Sequence, residues 1–89
     1  MANWAVFTYE DALEIVKDRA KSLEEFDYRL ELLEDGDLVI AKLYRWEPSY
    51  GDSWELVPVW ELHIPKERVI YLREVIYHIL ELERDKRAG

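Results

Sequence analysis

Tyr44 and Trp46 stand two residues apart, Lys42 precedes them by two, and Tyr50 and Trp54 follow within ten positions. In an extended strand, residues two apart share a face, so Lys42, Tyr44 and Trp46 form one row. Aromatic rings interleaved with cations on an open sheet provide the chemistry of single-stranded nucleic acid binding. Bases stack on the rings, at ~1–3 kcal/mol each, and cations meet phosphates. Tyr44, Trp46, Tyr50 and Trp54 are therefore candidate stacking residues, and Arg29 and Lys42 candidate phosphate contacts. The same aromatics could instead pack under a helix or in a dimer interface.

Other reactive constellations are thin. Glu74, His78 and Glu81 fall on one helical face at spacings of four and three, which could supply two or three metal ligands. The simpler expectation is a solvated stripe. Glu61 and His63 share a strand face and read as a charged edge. There is no GxGxxG, P-loop or HExxH pattern. Ser22, Ser49 and Ser53 lack a nucleophile-elbow context. The absence of cysteine excludes disulfides, thiolate metal sites and cysteine nucleophiles. Carboxylates are abundant, but none is singled out for the desolvation that acid catalysis needs. The expectation is no enzyme, no metal and no cofactor.

These residues must be carried by 89 positions, a length suited to one domain spanning 1–89. Hydrophobic residues at 49% and aromatics at 13% exclude a disordered chain. No apolar run reaches the ~18–20 residues that span a bilayer, and Met1 to Glu10 lacks a basic secretory start. A cytoplasmic protein without membrane contact is expected. The net charge of −8 opposes generic binding to polyanions. That acidity is uneven, however: residues 1–37 hold 11 of the 20 acidic residues and 4 of the 12 basic ones. The aromatic segment lies outside this region. High Glu and Arg with few Asn, Gln, Met and Gly resembles the composition of proteins from hot environments.

The periodicities predict an α+β fold: an N-terminal helix, a three- to four-stranded antiparallel meander, and a long C-terminal helix on the sheet. Trp4 to Phe7 reads as a short strand or apolar plug. Thr8 is a good N-cap for a helix from Tyr9 to about Leu23, which buries Ala12, Leu13, Val16, Ala20 and Leu23. From Phe26 the period becomes two, and Asp35-Gly36 is a hairpin signal. With that pair as the loop, Leu32 faces Val39, Leu30 faces Ala41 and Tyr28 faces Leu43 on the core side. Arg29 then faces Lys42, and Asp27 faces Tyr44, on the side that also carries Ile40 and Trp46. Glu47 to Ser53 is a loop. A strand over Trp54–Ile64 places Leu56, Trp60, Leu62 and Ile64 on one face, with an edge or bulge at Pro58.

Pro65 opens the last helix, expected over Lys66–Asp85, about 30 Å long. Its apolar residues cover most of the circumference, which calls for more than one packing partner. Val69, Leu72, Ile76 and Ile79 fit an a/d seam. One partner is the sheet and the other is either the first helix or a second copy of the chain; a homodimer built on that seam is expected.

Ile40-Ala-Lys-Leu-Tyr-Arg-Trp46, a Gly-containing loop, Leu62-His-Ile-Pro-Lys-Glu67 and a helix with Leu72 and Ile76 follow in order. Across Gly36 to Leu80 this pattern resembles the single-stranded-DNA-binding domain of the positive-cofactor-four transcriptional coactivators. The resemblance implies a dimer of curved antiparallel sheets, each backed by a helix. The chain departs from that family in its leading helix and in having fewer Lys and Arg on the strands. Its size, aromatic content and composition are also similar to the ThermoDBP-related single-strand binders of hyperthermophilic archaea. The expected function is single-stranded nucleic acid binding, DNA or RNA, through an aromatic-lined sheet face. The alternative is an acidic protein–protein interaction or regulatory module.

Overall fold

A computed structural model describes residues 8–88; the reading of Trp4 to Phe7 lies outside them. Helix α1 (Tyr9–Ala20) is followed by strands β1 (Tyr28–Asp35), β2 (Leu38–Pro48) and β3 (Trp54–Pro65), then helix α2 (Leu72–Ala88). The strands form one antiparallel sheet in the order β1-β2-β3. This is the expected α+β arrangement, with three strands among the described residues.

Thr8 caps α1 reciprocally. Its Oγ1 accepts from the Asp11 amide at 3.1 Å, and its own amide donates to the Asp11 carboxylate at 3.4 Å. The α-helix stops at Ala20, three residues before the expected end, and tightens into a 3-10 segment over Lys21–Phe26. Asp27 ends that segment with φ 67°, the one positive φ at a non-glycine among the described residues. Phe26, expected at the start of the strand, instead closes the 3-10 turn. There it is buried in the core, with the Arg87 guanidinium 4.3 Å from its ring centre. The last helix is divided in the same way. Lys66–Tyr71 winds as 3-10 and α2 proper begins at Leu72.

The β1–β2 register differs from the expected one. Asp35 pairs with Leu38, so Gly36-Asp37 forms the loop; Leu32 faces Ala41, Leu30 faces Leu43 and Tyr28 faces Arg45. Gly36 adopts φ 60° while Asp37 does not turn positive. That combination fits a II′ turn with glycine first, rather than the I′ turn expected of Asp35-Gly36. Moving the turn by one residue moves the pairing by two. The inward and outward sets are therefore unchanged, although Arg29 now faces Tyr44 and Lys42 faces Glu31.

Both helices cover one side of the sheet. Val39, Ala41 and Leu43 point into that side at 2% exposure or less. They join Val16 of α1, Leu23 and Phe26 of the first 3-10 segment, and Leu72, Ile76 and Leu80 of α2. Val69, Leu72 and Ile76 are at most 2% exposed, and Ile79 is half-buried against the same cluster. The seam assigned to a partner copy is thus occupied within the chain, because α1 and its 3-10 extension fill the second face of the last helix. The exposed apolar residues left on that part of the chain are Tyr71, Tyr77 and Leu82.

β3 carries one irregularity with large effects. Leu43 pairs with Trp60 and Tyr44 with Pro58, so Val59 is an extra residue on β3. Proline lacks the amide that a regular ladder would use here, and a bulge accommodates it. Trp60, Leu62 and Ile64 share the helix-covered side with Leu43, Ala41 and Val39. Beyond the bulge the parity reverses, so Leu56 pairs with Trp46 on the opposite side. Leu56 is therefore not on the face expected for it. No helix among the described residues is long and apolar enough to cross a membrane.

Candidate nucleic-acid interface

The uncovered side of the sheet is built by alternation. β2 sends Ile40, Lys42, Tyr44 and Trp46 to it because its odd positions are committed to the core. β1 adds Arg29, Glu31 and Leu33, and β3 adds His63, Glu61, Leu56 and Trp54 by cross-strand pairing. Trp46 is 40% exposed and Trp54 59%; Tyr44 is half-buried among its neighbours. Tyr50, at 97% exposure, stands at the tip of the β2–β3 hairpin, where Ser49 donates its amide to the Ser53 carbonyl at 2.8 Å. Gly51 takes φ 70° in that tip, a conformation that suits a residue without Cβ.

The hairpin projects because β1 stops pairing at Arg45. One further bond, from the Trp46 amide to the Asp27 carbonyl at 2.8 Å, ties its base to the left-handed turn. Two shallow hollows flank the aromatic row. One, of about 310 Å³, lies between Arg29 and Trp46; the other, of about 380 Å³, lies between Tyr44, Lys42 and the bulge.

The electrostatics separate the two candidate phosphate contacts. Lys42 has Glu31 directly across on β1 and Glu61 directly across on β3. The Tyr44 hydroxyl donates to Glu31 at 3.5 Å. A His63 ring nitrogen lies 2.6 Å from Glu61, and this hydrogen bond is the main reason the Glu61 carboxyl titrates below its usual range; Lys42 adds a smaller push. Arg29 is exposed, faces Tyr44 and makes no ion pair among the described residues. The structure thus brings Arg29, Lys42, Tyr44 and Trp46 onto one face, with Trp54 further out on the projecting hairpin and Tyr50 at its tip.

Sequence reasoning did not include Leu33, Ile40 or Leu56 in the site. Ile40 was legible from its spacing to Lys42 and Tyr44. Leu56 could be assigned only by placing the bulge between Pro58 and Trp60 rather than treating β3 as regular. Glu31 stands beside Lys42 through a β1–β2 register two residues away from the expected one, and Glu61 through the β2–β3 pairing.

Elsewhere, His78 lies 3.9 Å from Glu81, and both are exposed. No cluster of three or more metal-binding side chains occurs among the described residues. At the far end of the sheet, Lys66 stands 3.4 Å from Glu34 and 5.3 Å from the Tyr9 ring centre. The buried Tyr9 hydroxyl approaches Glu34 without reaching good hydrogen-bond geometry. Burial first and the Glu34 carboxylate second push this phenol up to about 12. Glu34 is held low in turn, by the Tyr9 hydroxyl first and Lys66 second.

Comparison with protein-family models, with curated proteins and with solved structures found no match.

Proposed function

We propose that this chain is a non-enzymatic binding module that takes single-stranded nucleic acid on its open sheet face. The observation that carries this reading is the exposure of Trp46, 40%, on a face that neither helix covers. Bases stack on Tyr44, Trp46 and Trp54, with Tyr50 reaching out from the hairpin tip, and Arg29 meets the backbone. Stacking at ~1–3 kcal/mol per base tolerates a chain of net −8 better than a mechanism built on phosphate contacts alone. Lys42 contributes little, because carboxylates flank it on both neighbouring strands. Such a module acts in the cytoplasm, and a homodimer of it would be built on Tyr71, Tyr77 or Leu82 rather than on the buried seam.

Protein recognition is the second reading, and a specific observation favours it. The face balances Lys42 against Glu31 and Glu61 and carries aliphatic Leu33, Ile40 and Leu56 beside the rings. That mixture is the one protein surfaces offer each other.

Tryptophan fluorescence titrated with oligo-dT and oligo-U, at low and high salt, decides between them. Quenching that weakens with salt supports the first reading. Unchanged fluorescence at about 50 μM oligonucleotide in low salt overturns it, since ~1–3 kcal/mol per stacked base over several bases would be visible there.

A further inference from the structure

A groove of about 520 Å³ lies in the helical layer, on the other side of the sheet from the aromatic face, between the C-terminal part of α1 and α2. Its lining is unusual for a chain of net −8. Three of the twelve cationic side chains, Arg19, Arg73 and Arg84, line it together with His78, against one carboxylate, Glu74. None of the three arginines makes an ion pair among the described residues, and all are exposed at its mouth. Beneath them the floor is apolar, with Ile76 at 2% and Leu80 at 7% exposure, and the Tyr77 ring stands beside it.

We propose that this groove is a binding site for a small phosphate monoester with an aromatic or otherwise apolar body. Three guanidinium groups without an ion pair on the rim of one groove give it a field that favours an anion. With Glu74 subtracted and His78 counted as neutral, the lining carries a charge of +2. A phosphate monoester carries about −1.5 to −2 at neutral pH, which a single carboxylate cannot match. All three cations are arginines, whose planar forks meet phosphate oxygens in pairs, whereas lysines offer point charges. Ile76, Leu80 and Tyr77 then accept the apolar body of the ligand, which free phosphate lacks. The volume lies within the ~300–1,000 Å³ typical of small-molecule sites. Because the lining comes from the helical layer alone, the site is independent of the nucleic-acid reading.

The test uses the full chain and three probes at low salt: 1-naphthyl phosphate, inorganic phosphate and 1-naphthol. Calorimetry gives affinities, and amide and arginine side-chain NMR shifts locate the site. The expected result is that 1-naphthyl phosphate binds about tenfold more tightly than either fragment probe, since each supplies only half of the recognition. The largest shifts fall at Arg19, Arg73, Arg84 and Tyr77. A variant carrying both Arg73→Gln and Arg84→Gln loses binding by about tenfold or more, while Arg73→Lys with Arg84→Lys retains part of it. Trp46→Ala leaves it unchanged. Equal affinity for 1-naphthol and its phosphate, unchanged affinity in the glutamine variant, or no binding at millimolar probe would each overturn the proposal. The lysine variant covers the case in which the glutamine variant does not fold.

Discussion

Lys42 on β2 stands directly opposite Glu61 on β3. With Glu31 opposite Lys42 on the other side, this cation stands between two carboxylates, although it forms an ion pair with neither among the described residues. Lys42→Ala should therefore change oligo-dT affinity by less than about twofold, because the two flanking carboxylates offset its attraction for phosphate. Glu61→Gln or Glu31→Gln should tighten binding and steepen its salt dependence, each newly available phosphate contact adding about 0.7 to the log–log slope for a single strand. Titrations between low and moderate salt check this. A large loss on Lys42→Ala would show that the lysine leaves its carboxylate neighbours to meet phosphate.

Trp46 carries the proposed function most directly. Trp46→Ala should weaken oligonucleotide binding by about 5- to 150-fold, the equivalent of ~1–3 kcal/mol of stacking. As a substitution on an exposed face it should leave the unfolding midpoint almost unmoved, within ~0.5 kcal/mol. Circular dichroism melts alongside fluorescence anisotropy separate the two effects. A parallel loss of stability and binding would mean that Trp46 supports the fold instead.

Asp27 holds φ 67° where the first 3-10 segment meets β1, and its carbonyl anchors the Trp46 amide. A left-handed conformation costs an ordinary L-residue roughly 1–2 kcal/mol, less for Asp or Asn and least for Gly. Asp27→Gly should be neutral or stabilise by up to about 1 kcal/mol, and Asp27→Val should destabilise by about 1–2 kcal/mol. Urea unfolding measures both. The valine variant should also disturb Trp46, since the same turn positions the base of the hairpin.

Tyr9 makes alkaline stability a specific test. Its phenol is pushed from 10.0 up to about 12 in the folded chain, so between these values the unfolded chain loses this proton and the folded chain keeps it. Where the folded state binds more protons, stability falls as pH rises. The contribution of Tyr9 is therefore complete below pH 10 and is lost from pH 10 to 12. Tyr9→Phe should lessen that decline. Near neutral pH it should cost little, because it removes a buried hydroxyl without a well-placed partner. Thermal melts of both proteins at pH 7 and across the alkaline range test the sign. A steeper decline in the phenylalanine variant would contradict it.

Leu72 distinguishes a seam within the chain from one between chains. It is 0% exposed against the chain's own core, so Leu72→Ala should destabilise by about 2–5 kcal/mol. The loss should be the same at any protein concentration. If the seam instead joined two copies, the melting temperature would rise with concentration, and dilution series in calorimetry would reveal it.

Much of the outer face was legible because β2 is a regular strand with buried alternate positions. Lys42, Tyr44 and Trp46 follow from the spacing of Val39, Ala41 and Leu43 alone. Thr8 was legible for a similar reason, since a capping hydroxyl acts on amides three residues away. The β1–β2 register was not legible, because Asp35-Gly36 and Gly36-Asp37 are both acceptable two-residue loops and differ only in which position takes the positive φ. The faces survived that difference because a one-residue change of turn moves the pairing by an even number. β3 was less legible. Pro58 signals either an edge or a bulge, and Leu56 changes sides on that choice. The seam on the last helix was misplaced for another reason: a helical wheel shows which residues want cover, not whether α1 or a second copy supplies it.

The extra residue at Val59 also divides the hairpin by what its sequence must satisfy. At Trp60 and Ile64 a substitution is judged by the hydrophobic cluster and must preserve its volume. From Trp54 to Leu56 the even positions answer to the open face, to solvent at Trp54 and to Trp46 across the ladder at Leu56, and to whatever docks there. Ligand preference can therefore drift through the outer part of the hairpin while the remainder stays conservative. The same division makes that outer part a natural place to graft or randomise residues when a new specificity is wanted on this scaffold.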